Sequence, residues 1–280
     1  MCLPGTIETV RARVEEEGPP KLDRRTALLG AAGAAVAATF PGRALGSRSS
    51  KTDRIQDLTH EFREGFPGFL GSPNLIDRVA TVTIPANGFY GQTWHFWEHS
   101  CTHMDVPAHF VTGGRFSPQI TLDELVRPLA VVDISTRAAS NPDAEVLVSD
   151  VVAFERGEGR IKSGSVVAMD SGWAARSGSV AAYRNVGADG LQHFPGFSRA
   201  AVEWLVAERD IAGIGVDTLS LDPGRSQTFD AHVAILGANR YGIENLVNLD
   251  RVPPRGATVT AALIPWEQGS GGPARVFATW

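Results

Sequence analysis

Cysteine is almost missing from this 280-residue chain, which holds only Cys2 and Cys101. Cys2 falls in a stretch that reads as a removable leader, and a single remaining cysteine can form no internal disulfide even in an oxidising compartment. Stability must then come from packing, with or without a metal. Long apolar runs are lacking too. The best candidate, RRTALLGAAGAAVAATF at positions 24 to 40, is too short and too rich in small residues to span a bilayer stably, which takes about 20 predominantly apolar residues. No basic stripe follows residue 50 and the formal net charge is −5, so the electrostatic footprint of a nucleic-acid binder is absent. Neither an internal repeat nor a low-complexity block is visible beyond that point. A G-x-S-x-G elbow is also missing, which argues against covalent serine catalysis.

The arginine pair Arg24-Arg25, set directly before the uncharged run, matches a twin-arginine export signal, the type that carries folded proteins. Cleavage is expected within Pro41 to Ser50, where Gly, Ser and Arg replace the apolar run. This divides the chain into a signal and linker over 1–50 and a domain over 51–280. The domain's roughly 230 residues suffice for one sizeable core. The expected location is the periplasm or outside the cell, with no stable membrane span once the signal is removed.

Short β-branched runs recur through the domain: Ala130 to Ile134, Ser165 to Met169, Ile211 to Val216, His232 to Leu236 and Thr258 to Ile264. Each has the length of a strand and is bounded by Gly, Pro or Asp. Two helix starts stand out. Thr121-Leu-Asp-Glu124 reads as a capping box with Ile120 and Leu125 as its staple, and Phe197-Ser198 precedes an amphipathic segment with Val202, Leu205 and Val206 on one face. These signals predict a mixed α/β domain with more strand than helix.

Chemistry concentrates in one place. Of seven histidines in the chain, three fall in the eleven residues HSCTHMDVPAH, together with an aspartate. Imidazole and carboxylate are the donors that bind zinc, manganese and iron(II), at about 2.0–2.2 Å. Ligands of one ion must lie a few Å apart, so a segment that would span roughly 33 Å when extended has to fold back on itself. Pro107 argues against one continuous helix carrying all four groups. Aromatic residues crowd the approach: Phe89, Tyr90, Trp94, Phe96 and Trp97. In an extended strand His95, Trp97 and His99 would share one face and Trp94, Phe96 and Glu98 the other, and one of the two could line a flat apolar pocket. His60 and His193 have no such company and are read as structural or surface groups.

The string EHSCTHMDVPAHF, Glu98 to Phe110, resembles the H-x-G-T-H-x-D-x-P-x-H-F signature of the cyclase family, which includes bacterial kynurenine formamidase and isatin hydrolase. It departs once, with Cys101 in place of the usual glycine, where either an ordinary turn or local strain is expected. Further matches keep the family's order: Asp57-Leu58-Thr59, Ser171-Gly172-Trp173, Gly215-Val216-Asp217 and Glu244-Asn245-Leu246. The resemblance implies an α/β single domain with a mixed β-sheet or partial barrel flanked by helices, of the swivelling β/β/α type, commonly a homodimer or larger.

By position, the resemblance makes His99, His103 and Asp105 metal ligands and His109 the catalytic acid/base. His232 and Glu244 would complete a second site, with Asp105 bridging, so one or two divalent ions, Zn or Mn, are expected. The implied reaction is hydrolysis of a C–N bond in a small aromatic or cyclic amide, aryl formamide or lactam. The ion would lower the pKa of the attacking water and polarise the carbonyl. Three alternatives use the same residues: a lactone or ester hydrolase, a polyketide-type cyclase, and a non-catalytic exported metal- or ligand-binding protein.

Overall fold

Strands form where β-branched residues cluster. The computed structural model describes residues 54–73 and 76–280, so the twin-arginine signal read over 1–50 lies outside the described residues. Twelve strands occur among the described residues: β1 Ile55–Asp57, β2 Ile76–Val82, β3 Gly91–Phe96, β4 His103–Asp105, β5 Val126–Asp133, β6 Glu145–Val146, β7 Val166–Asp170, β8 Gly196–Phe197, β9 Gly213–Val216, β10 Tyr241–Glu244, β11 Arg255–Leu263 and β12 Gly271–Thr279.

The chain divides into two units. Within the described residues the smaller is Asp77–His95, the paired β2 and β3 around a short helix, Ile84–Asn87, and the helix buries none of its residues. The larger unit, Asp53–Ile76 with Phe96–Trp280, is the expected α/β domain. Its sheet runs β1-β12-β11-β5-β7-β9-β10-β4, and β4 pairs again with β12. Seven strands therefore close into a barrel, with β1 attached outside on β12. β5, β7, β9 and β10 are parallel neighbours, while β4, β11 and β12 run antiparallel.

Burial follows from this arrangement. β7, β9 and β10 are buried at every position, as expected of parallel strands covered on both faces, whereas β11 alternates buried and more open positions. Alternation along β5 and β7 divides their side chains between two cores. Leu129, Val131, Val166 and Ala168 join the core built from all sides of the barrel. Ala130, Val132, Val167 and Met169 pack with Val202, Leu205 and Ile235 of the covering helices.

Both helix starts form. Ser198 caps Arg199–Arg209 by accepting from the Ala201 N–H, and Ala201, Val202 and Leu205 are buried. At Thr121 the helix is a single turn, Leu122–Leu125, and the Glu124 carboxylate accepts from both the N–H and the hydroxyl of Thr121. One strand expectation fails. His232 to Leu236 lies in a helix, Asp230–Gly237, because the Asp222 carboxylate accepts the Ala231 and His232 N–H groups and so satisfies donors that a helix start leaves free. A five-residue apolar run cannot distinguish strand from buried helix by periodicity alone.

Candidate active site and metal centre

β4 carries two of the expected ligands, and its length and position explain their geometry. It is buried throughout and lies between β10 and β12. His103 and Asp105 are two residues apart and so project from one face. The antiparallel register sets Glu244 of β10 directly opposite His103, which brings His103 Nε2 to 3.3 Å from Glu244 Oε2 and 3.2 Å from Asp105 Oδ1. β12 approaches closely at Gly271, where an added Cβ would lie 2.5 Å from the Met104 carbonyl and 2.7 Å from His99 Cε1. Only glycine leaves room there for both the strand and the ring.

His99 reaches the cluster from the turn before β4, with Nδ1 2.7 Å from Asp105 Oδ1. Cys101 in this turn has φ +59°, the left-handed region, so the family's glycine position keeps a glycine-like backbone and carries local strain. The helix Asp230–Gly237 supplies His232, whose Nε2 lies 3.1 Å from Glu244 Oε1 and 3.5 Å from Asp105 Oδ2. Two groups of potential ligands result, His99–His103–Asp105 and Asp105–His232–Glu244, each with donor atoms within 4.8 Å of one another. Asp105 belongs to both.

Several supporting groups went unassigned in the sequence. The Asp222 carboxylate accepts from His232 Nδ1 at 2.6 Å, leaving Nε2 to face the cluster. Ser270 Oγ stands between His99 Nε2, at 2.9 Å, and the Glu98 carboxylate, at 2.5 Å. Glu98 adjoins the signature, but nothing in the spacing marks Asp222 or Ser270.

A divalent ion fits this donor set. Three imidazoles and two carboxylates suit zinc, manganese or iron(II). Asp105 Oδ2 is a buried carboxylate oxygen with no hydrogen-bond partner among the described residues, a costly arrangement unless a cation meets it. The thiol of Cys101 is not a donor here: it faces the His60 and Glu61 carbonyls, and burial pushes it up to about 12.

Burial opposes charge on every group, yet the crowded partners prevail. The Asp105 and Glu98 carboxylates raise His99 to about 9; Asp105 and Glu244 raise His103; Asp105, Asp222 and Glu244 raise His232 well above its usual value. The facing imidazoles hold Asp105 well below the carboxylate range. The carboxylates thus favour positive charge at this place, which a divalent ion would supply, and its binding would compete with protons.

His109 differs. It ends the short turn Pro107–His109 and stacks on His99, with ring centroids 3.8 Å apart. Burial pushes it down to about 4, because the pull of Asp105 is offset by the other imidazoles. Burial thus favours the neutral form of this imidazole.

Above the cluster lies a cavity of about 300 Å³, with His99, His103, His232 and Glu244 at its base. Its wall is aromatic: Phe69, Trp97, Phe110 and Phe229. Phe229 lies 5.7 Å from both Phe69 and Phe110 and holds a left-handed backbone at φ +52°. The expected run of strand from His95 to His99 is broken, since β3 ends at Phe96. Of the five aromatics that crowd the approach in sequence, only Trp97 is among the cavity's lining residues. Phe96 packs on Phe62 and Trp266. His60 lies beside Phe66 and His193 pairs with Asp143 and Asp189, away from the cluster.

The Cyclase family model matches residues 56–223. The chain belongs to the cyclase family. An isatin hydrolase of Roseibium aggregatum is 34% identical over 199 residues, covering 68% of this chain and 75% of that protein. A kynurenine formamidase of Salinibacter ruber is 28% identical over 156 residues, covering 56% and 64%. Among solved structures, isatin hydrolase A from Ralstonia solanacearum superposes with a TM-score of 0.77 at 32% identity, over 92% of this chain and 98% of that one. An isatin hydrolase bound to the product analogue thioisatinate gives 0.77 at 27% identity, over 92% and 99%.

Proposed function

We propose that this protein is a metal-dependent hydrolase that cleaves a C–N bond in a small, aromatic, uncharged amide or lactam, with isatin as the first compound to try. The observation that carries the reading is the carboxylate–imidazole cluster at the base of an aromatic-walled cavity, with neutral His109 stacked beside it. Among the described residues no Lys or Arg lines that cavity. A substrate carboxylate held against the wall, away from the cluster, would meet no basic side chain among the described residues, at a cost of several kcal/mol. This favours a neutral lactam over an amino-acid formamide.

The residues divide the work. Phe69, Phe110, Phe229 and Trp97 hold a flat ring and exclude water. A bound divalent ion supplies Lewis acidity to the carbonyl and to water. His109 takes a proton as water oxygen attacks the carbonyl carbon, and returns it to the nitrogen as the C–N bond breaks. One or two ions, Zn or Mn, suit the donors, since Asp105 serves both ligand groups.

Elemental analysis of protein purified without added metal, beside hydrolysis assays on isatin, aryl formamides, amino-acid formamides and lactones, tests this. Bound Zn or Mn with turnover of isatin is expected. Turnover of lactones alone would move the activity to ester hydrolysis, and metal binding with no turnover of any of them would favour a binding protein. We further propose export through Arg24-Arg25 and assembly as a homodimer. No helix among the described residues is long and apolar enough to cross a membrane. Retention of an Arg24→Lys, Arg25→Lys precursor in the cytoplasm and the mass of the purified protein in solution are the respective tests.

A further inference from the structure

The two ligand-bearing segments are joined behind the cluster by hydrogen bonds that take no part in holding an ion. The Cys101 carbonyl accepts from two donors, His103 Nδ1 at 2.9 Å and Asn245 Nδ2 at 2.9 Å. Because a carbonyl only accepts, His103 carries its proton on Nδ1, and Nε2 is the atom left to face Asp105 and Glu244. The same logic orients the Asn245 amide. Its nitrogen must point to Cys101, so its oxygen faces the Tyr183 hydroxyl, 3.0 Å away.

Asn245 directly follows Glu244, and its own carbonyl accepts from Thr102 Oγ at 2.6 Å. It thus grips both sides of the Cys101–Thr102 turn, between His99 and His103. All of these groups are buried. The left-handed backbones of Cys101 and Asn245 cost free energy for residues with a Cβ, and such strain persists only where surrounding contacts over-determine it. Here it aims the Cys101 carbonyl at both donors.

We propose that Asn245 is a positioning residue: it clamps the Cys101 carbonyl that sets the tautomer of His103, and so holds the His99–Asp105 segment in register with Glu244. This rests on the reading of the cluster as a metal site. Asn245→Asp keeps the shape but places an acceptor against the Cys101 carbonyl. Asn245→Ala removes the clamp, and Tyr183→Phe removes the hydroxyl that faces the amide oxygen, together with its bond to the Asp217 carbonyl.

The test is the Zn²⁺ dissociation constant of the purified, metal-stripped protein, read by competition with a chromophoric chelator, beside the melting temperature of the metal-free form. The visible spectrum of the Co²⁺-substituted protein reports ligand geometry. Both Asn245 variants should bind Zn²⁺ about 10–100-fold more weakly, the usual effect of removing a group that orients a ligand, with an altered Co²⁺ spectrum. Tyr183→Phe should weaken binding less, and should add nothing in the Asn245→Ala background, because it acts through that amide.

Zn²⁺ affinities within twofold of wild type in the Asn245 variants would overturn the proposal. So would a lowered metal-free melting temperature with normal Zn²⁺ affinity in the folded fraction, which would make Asn245 merely structural. Should neither Asn245 variant fold, Tyr183→Phe alone decides, and an unchanged affinity and Co²⁺ spectrum would count against the clamp. A wild-type protein that binds no Zn²⁺ or Co²⁺ would instead remove the metal site itself.

Discussion

The base of the cavity and its wall are made of different material. His103, Asp105 and Glu244 stand on buried strands locked by the β4–β10 register, and Asp222 pins His232 from behind. Phe69, Phe110 and Phe229 come from loops and turns, where a ring's place depends on contact with other rings. Chemistry that needs donor atoms fixed to a fraction of an ångström belongs on the sheet, whereas substrate choice tolerates, and profits from, adaptable loops. The comparison also separates the histidines: those at the base are raised by carboxylates, and His109 beside the wall is lowered by burial.

The strongest break is Asp105→Ala. Because Asp105 belongs to both groups of potential ligands, nearly all metal and all hydrolysis should be lost together, by elemental analysis and assay on one preparation. His109→Ala should keep its metal and fold but lose about 10²–10⁴ in kcat, with KM little changed. Full activity in that variant would remove the proposed acid/base.

His232→Ala touches one edge of the base and should lose at most one equivalent of metal, because His99, His103 and Asp105 remain. Wild-type metal content there would rule out a second site. On the wall, Phe229→Ala should leave metal content unchanged and raise KM for an aromatic substrate roughly 3–10-fold, the worth of about one aromatic contact. A loss of metal in this variant would erase the division between base and wall.

A smaller effect sharpens the contrast through pH. In metal-free protein His99 is raised to about 9 by its carboxylate partners. Its contribution to stability is fully present below its unfolded value of about 6.5 and is lost as pH rises through 9. A bound ion displaces that proton, so stability gained from metal should grow over the same range. Melting curves from pH 6 to 9.5 should fall for the metal-free form and hold or rise for the loaded one. Parallel curves would contradict this account.

Sequence alone determined the local part of this protein. Three histidines and an aspartate crowded around Pro107 announced a metal cluster, the ordered short motifs announced the family, and four of five β-branched runs became strands because their composition and bounds admit little else. Cys101 in a glycine position left an ordinary turn or local strain open, and φ +59° decides for strain. Tertiary structure alone decided the rest. Glu244 meets His103 because an antiparallel register places them opposite each other, and Asp222 turns the His232 run into a helix by accepting its first N–H groups. Ser270, Phe69 and Phe229 reach the site from distant parts of the chain. Their partners lie far away in sequence, and no periodicity records which strand edge will close on which. Barrel closure through β4 and β12 is the event that turns those separate segments into one site.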